Sequence, residues 1–212
     1  MISVIVPLIS NVPERLQSVS ELLLKLSYEF SEITVHILPR LLKEIPDKIY
    51  ACKDISNTIL NIKSSEWIIF IEDDVEIGTG FGKSVYDGID HIKDNADIGA
   101  IALFSPRRLD EERLRRGEKY YIDKHQHFRQ TQAVLMTAKV ANLWAEKLQQ
   151  DNLICYDWDI ILGDTCKENN LSILIALPST AQHRGFENSL LDGFKSTFGH
   201  RNDGVVSHTF VK

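Results

Sequence analysis

The chain is 212 residues long, 43% hydrophobic and 25% charged, with a net charge of -6 and a pI near 5.6. That length holds one sizeable core, and the acidic balance excludes a general long-range attraction to nucleic acid or anionic lipid. Cys52, Cys155 and Cys166 are odd in number and lack CxxC spacing, which excludes a disulfide framework or zinc cluster and leaves reduced thiols.

The chain opens on the apolar run SVIVP, with no basic leader and no apolar stretch of roughly 18 residues, so a cytoplasmic protein without membrane insertion is expected. That run is a β-branched strand ended by Pro7. PERLQSVSELLLKLSYEF follows with Pro13 at its start and leucines at 16, 22, 23 and 26 on one helical face. ITVHIL predicts a second strand, YACKDISNTILNIK a helix, and WIIFI a third strand. WIIFI is apolar on both faces, as a strand covered from both sides must be. GFGKSVYDGIDHIKD predicts a helix and IGAIAL a strand. Beyond the polar, Arg-rich segment 105–130 come the strand TQAVLMT, the helices AKVANLWAEKLQQ and YDWDIILGDTCKENN, and the strand LSILIAL. From Pro178 the sequence turns polar and Gly-rich, which predicts a closing tail or flap. No internal repeat is visible, so the pattern is one α/β sheet.

The stretch WIIFIEDDVEIGTGFGKS holds two candidate ways of handling a phosphate. Its second half fails as a Walker loop: Gly78 and Gly82 leave three residues between them where the motif needs four, and Glu72, Asp73, Asp74 and Glu76 intervene after the strand. The glycines instead predict a flexible turn before a helix. The turn after the first strand, PLISNVPE, has no glycine, which excludes a dinucleotide fingerprint. A phosphatase nucleophile is excluded because Glu72 stands where an aspartate is needed. In its first half, EDD lies at the carboxyl end of the most buried strand, where open α/β sheets bind ligands. Crowded carboxylates favour a hard cation, Mg²⁺ or Mn²⁺, whose shell a substrate diphosphate completes. The alternative is that these acids cap a helix or are simply solvated. In PRRLDEERLRRGEK, Arg107, Arg108, Arg113, Arg115, Arg116 and Lys119 form either a salt-bridged surface helix or a site for an anionic substrate.

The strand WIIFIEDDVEI, preceded by a helix containing Asn57 and followed about a hundred residues later by PSTAQHRGFENS, resembles the GT-A glycosyltransferases over nearly the whole chain. The resemblance implies a GT-A, Rossmann-like α/β fold: a mostly parallel central sheet with helices on both faces. It implies one catalytic domain over 1–178, with 1–104 holding the nucleotide-sugar and 105–178 the acceptor, and a metal-ligand loop and flexible tail over 179–212. The family's D-x-D or E-D-D triplet makes Asp74 the Mn²⁺ or Mg²⁺ ligand and sets Glu72 and Asp73 on the nucleotide-sugar. Pro7 and Leu8 then line the base pocket. Lys53 and Asn57, four apart on one helix face, point toward the nucleotide. His183 completes the metal site with Ser189 nearby, and Gln132 contacts the donor and acceptor cleft. In an inverting member the base is an acid opening a late helix: Asp159 is the first choice and Asp157 the cap, with the exchanged roles left open, while Asp164 reads as exposed. A retaining enzyme would not need that base.

The implied activity is transfer of a sugar from a nucleotide-sugar, a UDP-sugar by family habit, to a hydroxyl on a glycan, small molecule, protein or modified base of viral DNA. Two other readings remain: a sugar nucleotidyltransferase, although PLISNVPER lacks the glycines for a triphosphate, and a non-catalytic nucleotide-sugar-binding protein.

Overall fold

The computed structural model describes residues 1–41, 46–107, 109–123, 128, 131–150, 157–184, 207 and 209–211, with the backbone alone over 46–50. In chain order its elements are β1 (Ile2–Ile9), α1 (Pro13–Glu29), β2 (Thr34–Arg40), α2 (Pro46–Asn61), β3 (Trp67–Ile71), β4 (Val75–Ile77), α3 (Phe81–Asp94) and β5 (Ile98–Ala102). They continue as α4 (Asp110–Arg115), β6 (Tyr120–Ile122), β7 (Ala133–Thr137), α5 (Ala138–Leu148), α6 (Trp158–Glu168), β8 (Ser172–Ala176) and β9 (Ala181–His183).

Among the described residues seven strands form one sheet in the order β2-β1-β3-β7-β5-β8-β6. β2, β1, β3, β5 and β8 run one way, while β7 and β6 run the other, so the sheet is mostly parallel. Successive side chains of a strand face opposite sides, and the continuous apolar strands supply both faces with core. Trp67, Ile69 and Ile71 of β3 join Val19, Leu22 and Leu26 of α1 and Phe81, Val85 and Ile89 of α3. Ile68 and Phe70 face the other way, onto Ile55 and Ile59 of α2, Trp144 of α5 and Ile161 and Leu162 of α6. Burying a side chain of this size stabilises the fold by about 1.5–3 kcal/mol, and these clusters anchor β3 from both faces.

The structure adds elements the sequence pattern did not reveal: β6 and an antiparallel ribbon of β4 with β9. Three-residue strands are too short to show a period. The ribbon pairs Val75 with His183 and Ile77 with Ala181. It is strapped to α1, because Lys25 Nζ reaches Glu76 Oε1 at 2.9 Å and the Ile77 carbonyl at 2.8 Å. The end of the chain returns to this region. Val211 N–H donates to the Ser179 carbonyl at 3.2 Å, and Ser207 N–H to Gln182 Oε1 at 2.9 Å. Gly78 must be glycine there, since a Cβ on it would meet the Val211 carbonyl oxygen at 1.8 Å.

The Arg-rich segment resolves largely into ion pairs. Arg107 meets Asp123 at 2.7 Å and Arg113 meets Glu118 at 2.8 Å, while Arg115 and Arg116 pair with Glu111 and Glu112 one turn back on α4. Arg108 lies outside the described residues, as does Cys155. Cys52 and Cys166 are buried free thiols, and burial pushes Cys166 up to about 12. No helix among the described residues is long and apolar enough to cross a membrane.

Candidate metal and nucleotide-sugar site

The acidic triplet begins one residue past β3, where Glu72 N–H still donates to the Gln132 carbonyl at 3.0 Å and so stays in register beside β7. The chain then turns: Val75 N–H reaches back to the Glu72 carbonyl at 3.2 Å, and β4 starts. Because β9 pairs with β4, His183 comes to stand beside the turn, and Arg184 N–H donates to the Asp74 carbonyl at 2.8 Å. A residue more than a hundred positions downstream is thus placed by backbone register.

His183 Nε2 lies 3.0 Å from Asp74 Oδ2. Glu72, Asp74 and His183 each offer a ligand atom, all within 4.8 Å of one another. Asp74 Oδ1 is buried and has no hydrogen-bond partner among the described residues. A buried carboxylate oxygen left without a partner is costly. One carboxylate from each of two acids with an imidazole is a donor set that suits Mn²⁺ or Mg²⁺.

Asp73, expected on the nucleotide-sugar, is tied into the protein itself. Its Oδ1 accepts from Arg15 Nη1 and its Oδ2 from the Ile9 N–H at 2.7 Å, so both oxygens are engaged inside the protein. Asp73 belongs to the frame of the site. Arg15 Nη2 also meets Asp74 Oδ2 at 3.0 Å, with side chains only 4% and 3% exposed. Arg15 lies on the buried stripe of α1 with Ser18, Val19, Leu22 and Leu26. Sequence reasoning missed it, as an arginine in a helix ordinarily reads as solvated.

Electrostatics separate the acids. Burial pushes Glu72 up to about 7, with the Asp74 charge adding to the push and His183 and the Trp158 N–H opposing it. Burial also raises Asp73 against the opposing Arg15 charge. For Asp74, burial is outweighed by the His183 hydrogen bond and charge and by Arg15, which hold its carboxyl below the ordinary value. For His183, burial is likewise outweighed by the bond and charge of Asp74 and the charge of Glu72, so its basicity rises.

Asp157 takes the N-cap position of α6, yet its side chain makes no cap bond. Asp159 stands in the first turn, where its Oδ1 accepts from Ile160 N–H at 2.8 Å, and its charge contributes to raising Glu72. Trp158, between them, ties this helix end to the cluster. Its Nε1 donates to Glu72 Oε1 at 3.1 Å, the atom that also accepts from Thr131 Oγ1 at 3.1 Å. Arg40, at the end of β2, sits 5.5 Å over the Trp158 ring. Neither Trp158 nor Thr131 carried a motif signal.

The other expected residues divide. Pro7 and Leu8 lie near the carboxyl end of β1 beside the triplet, both buried, with Leu8 packed in the core cluster around α1. Gln132 is buried behind Glu72, its Oε1 without a partner among the described residues. Asn57 is not brought to the cluster. It lines a shallow cavity with Ser3 and Thr34, at the start of β1 and β2, and its Oδ1 accepts from Gln149 at 2.9 Å. Lys53 is half-buried one turn earlier on α2. Ser189 lies outside the described residues. Asp164 is exposed.

The glycine half has an internal occupant. Gly80 N–H and Gly82 N–H donate to the Glu29 carboxylate at 3.1 and 2.9 Å, and Gly80 adopts a positive φ of 79° as the N-cap of α3. The amides that would cradle a phosphate hold a side-chain carboxylate from the end of α1.

No family model matches the chain, and no curated protein matches it. Among solved structures it is similar to a mutant Drosophila beta-1,4-galactosyltransferase 7 in complex with manganese, UDP-Gal and xylobiose, at 11% identity and a TM-score of 0.53, covering 94% of this chain and 75% of that one. It is also similar to a protein from STIV, at 12% identity and TM-score 0.49 over 85% of this chain and 83% of that one. A glycosyltransferase involved in glycosylation of the major capsid of PBCV-1 matches at 9% identity and TM-score 0.46, over 84% and 93%. With five strands running one way, helices on both faces and the galactosyltransferase superposing on nearly all of the chain, the fold is the GT-A fold.

Proposed function

We propose that the protein is a metal-dependent glycosyltransferase that moves a sugar, with inversion, from a nucleoside-diphosphate sugar to a hydroxyl acceptor. The observation that carries this reading is the convergence of Glu72, Asp74 and His183 at the carboxyl end of β3, with the buried Oδ1 of Asp74 left without a partner among the described residues. Manganese and UDP-Gal accompany the similarly folded galactosyltransferase, which supports Mn²⁺ and a UDP-sugar as the first pair to try.

A divalent cation held by Glu72, Asp74 and His183 would supply Lewis-acid stabilisation to the departing diphosphate. The chain's own groups do the rest. Asp159 takes the proton from the acceptor hydroxyl as that oxygen attacks the anomeric carbon from the face opposite the leaving group. Asp159 is favoured over Asp157 because its charge is felt at Glu72. The indole bond from Trp158 to Glu72 fixes the first turn of α6 against the metal cluster, which sets the separation between base and leaving group. Arg107, Arg113, Arg115 and Arg116 are matched by carboxylates, which supports a neutral glycan or small hydroxyl acceptor over a polyanion such as DNA.

Calorimetric titration of UDP-, GDP-, dTDP- and CDP-sugars, with Mn²⁺ or with EDTA, tests the reading on wild type and Asp74→Ala. Binding that requires both Mn²⁺ and Asp74 is expected. Equal binding in EDTA, or binding of ATP alone, would overturn it.

A further inference from the structure

Among the described residues Arg15 is the buried arginine that touches two members of the triplet, and the reading above gives it no task. Its guanidinium joins Asp73 through Nη1 and Asp74 through Nη2. A planar fork can bridge two carboxylates in this way, and an ammonium cannot reproduce it. Asp73 is fixed in turn by the Ile9 N–H, so β1, α1 and the turn after β3 are locked together around one arginine.

We propose that Arg15 is a positioning residue for the metal cluster: it holds Asp74 by Oδ2, so that Oδ1 is the oxygen presented to the cation. This rests on the metal reading above. Oδ2 accepts from both Arg15 Nη2 and His183 Nε2, each at 3.0 Å, whereas Oδ1 is buried without a partner among the described residues. A ring nitrogen that ligates a cation has no proton left to donate. Once His183 Nε2 is a ligand, Arg15 is the donor that remains on Oδ2 and keeps the carboxylate from rotating. A ligand oriented by a second group in this way loses about 10–100-fold in metal affinity when that group is removed.

The competing role for Arg15 is a plain counter-charge to crowded acids. The two roles predict opposite signs. A positive charge beside the cluster repels a divalent cation, so removing a mere counter-charge would tighten metal binding. Removing a positioning group weakens it.

The test is titration of the full chain with Mn²⁺, followed by the electron paramagnetic resonance signal of free Mn²⁺, for wild type, Arg15→Met and Arg15→Lys. Both variants are expected to raise the Mn²⁺ Kd by roughly 10-fold or more. An unchanged or lower Kd in Arg15→Met would overturn the assignment. Should Arg15→Met not fold, Arg15→Lys decides, since it keeps the charge but cannot span both aspartates: a wild-type Kd in folded Arg15→Lys overturns the proposal, and a raised Kd upholds it. A wild type that takes up no Mn²⁺ overturns the metal reading together with this one, whereas wild-type uptake with unaltered variants overturns the Arg15 role alone.

Discussion

Glu72→Gln should make the protein more stable at alkaline pH while removing its ability to hold a metal. Glu72 Oε1 accepts from Thr131 and Trp158, both at 3.1 Å, and a glutamine keeps an acceptor at that atom. Burial first, then the charge of Asp74, pushes the Glu72 carboxyl up from the ordinary 4.5 to about 7. The folded state therefore binds this proton more tightly than the unfolded chain. The stability that proton contributes is fully present below pH 4.5 and is lost as pH rises through about 7. A gap of roughly 2.5 pH units at about 1.36 kcal/mol each gives about 3 kcal/mol, and water at the half-buried side chain screens this to about 2 kcal/mol. Glutamine carries no charge at any pH, so the variant should gain about 2 kcal/mol over wild type near pH 8.5 and about nothing near pH 4.5. Urea unfolding in EDTA reads this as a midpoint raised by about 1 M at the higher pH, with the slope unchanged. A gain of equal size at both pH values, or a loss at pH 8.5, would refute the reasoning. Mn²⁺ titration of the same variant should show the metal site lost, the trade of stability against function expected of a ligand set.

Asp159→Asn should retain Mn²⁺-dependent donor binding and lose turnover by about 10²–10⁴-fold, read as kcat with the donor saturating. If Asp157→Asn does this while Asp159→Asn stays active, the two acids exchange roles. Glu29→Ala should lower stability by about 1–2 kcal/mol, read as a lower urea midpoint, because two amides at the start of α3 lose their acceptor. Mn²⁺ binding should be unchanged in that variant, and a changed Mn²⁺ Kd would show that α3 and the cluster are coupled.

The sheet was legible because its central strands are apolar on both faces, and a strand such as WIIFI has few other ways to be buried. The cluster was legible in part: Asp74 and His183 carry a family-like pattern and the structure brings them within 3.0 Å. What escaped was everything fixed by pairing at a distance. Arg15 is polar at a position where α1 needs an apolar residue, and its burial makes sense only beside two carboxylates fifty-eight and fifty-nine positions away. Trp158 is one aromatic among many until its indole is seen on Glu72. Asn57 shows the limit of spacing taken alone. A spacing of four puts two residues on one helix face but says nothing about which end of the sheet that face reaches, and Asn57 stands beside the start of β1 and β2.

The same sequence stretch shows how two apparent phosphate sites are told apart by charge. At Gly80 and Gly82 the backbone offers donors, and the protein itself supplies the anion, Glu29, so these two amides are already satisfied. At Glu72 and Asp74 the protein supplies the anions and balances them incompletely: Arg15 serves Asp73 and one oxygen of Asp74, His183 serves that same oxygen, and Oδ1 is left over. A buried anionic oxygen without a donor is stabilised by a cation, and a cation held by few protein ligands attracts further oxygens such as those of a diphosphate. The diphosphate of the proposed donor is therefore assigned to the acidic half, the half whose charges do not close among the described residues.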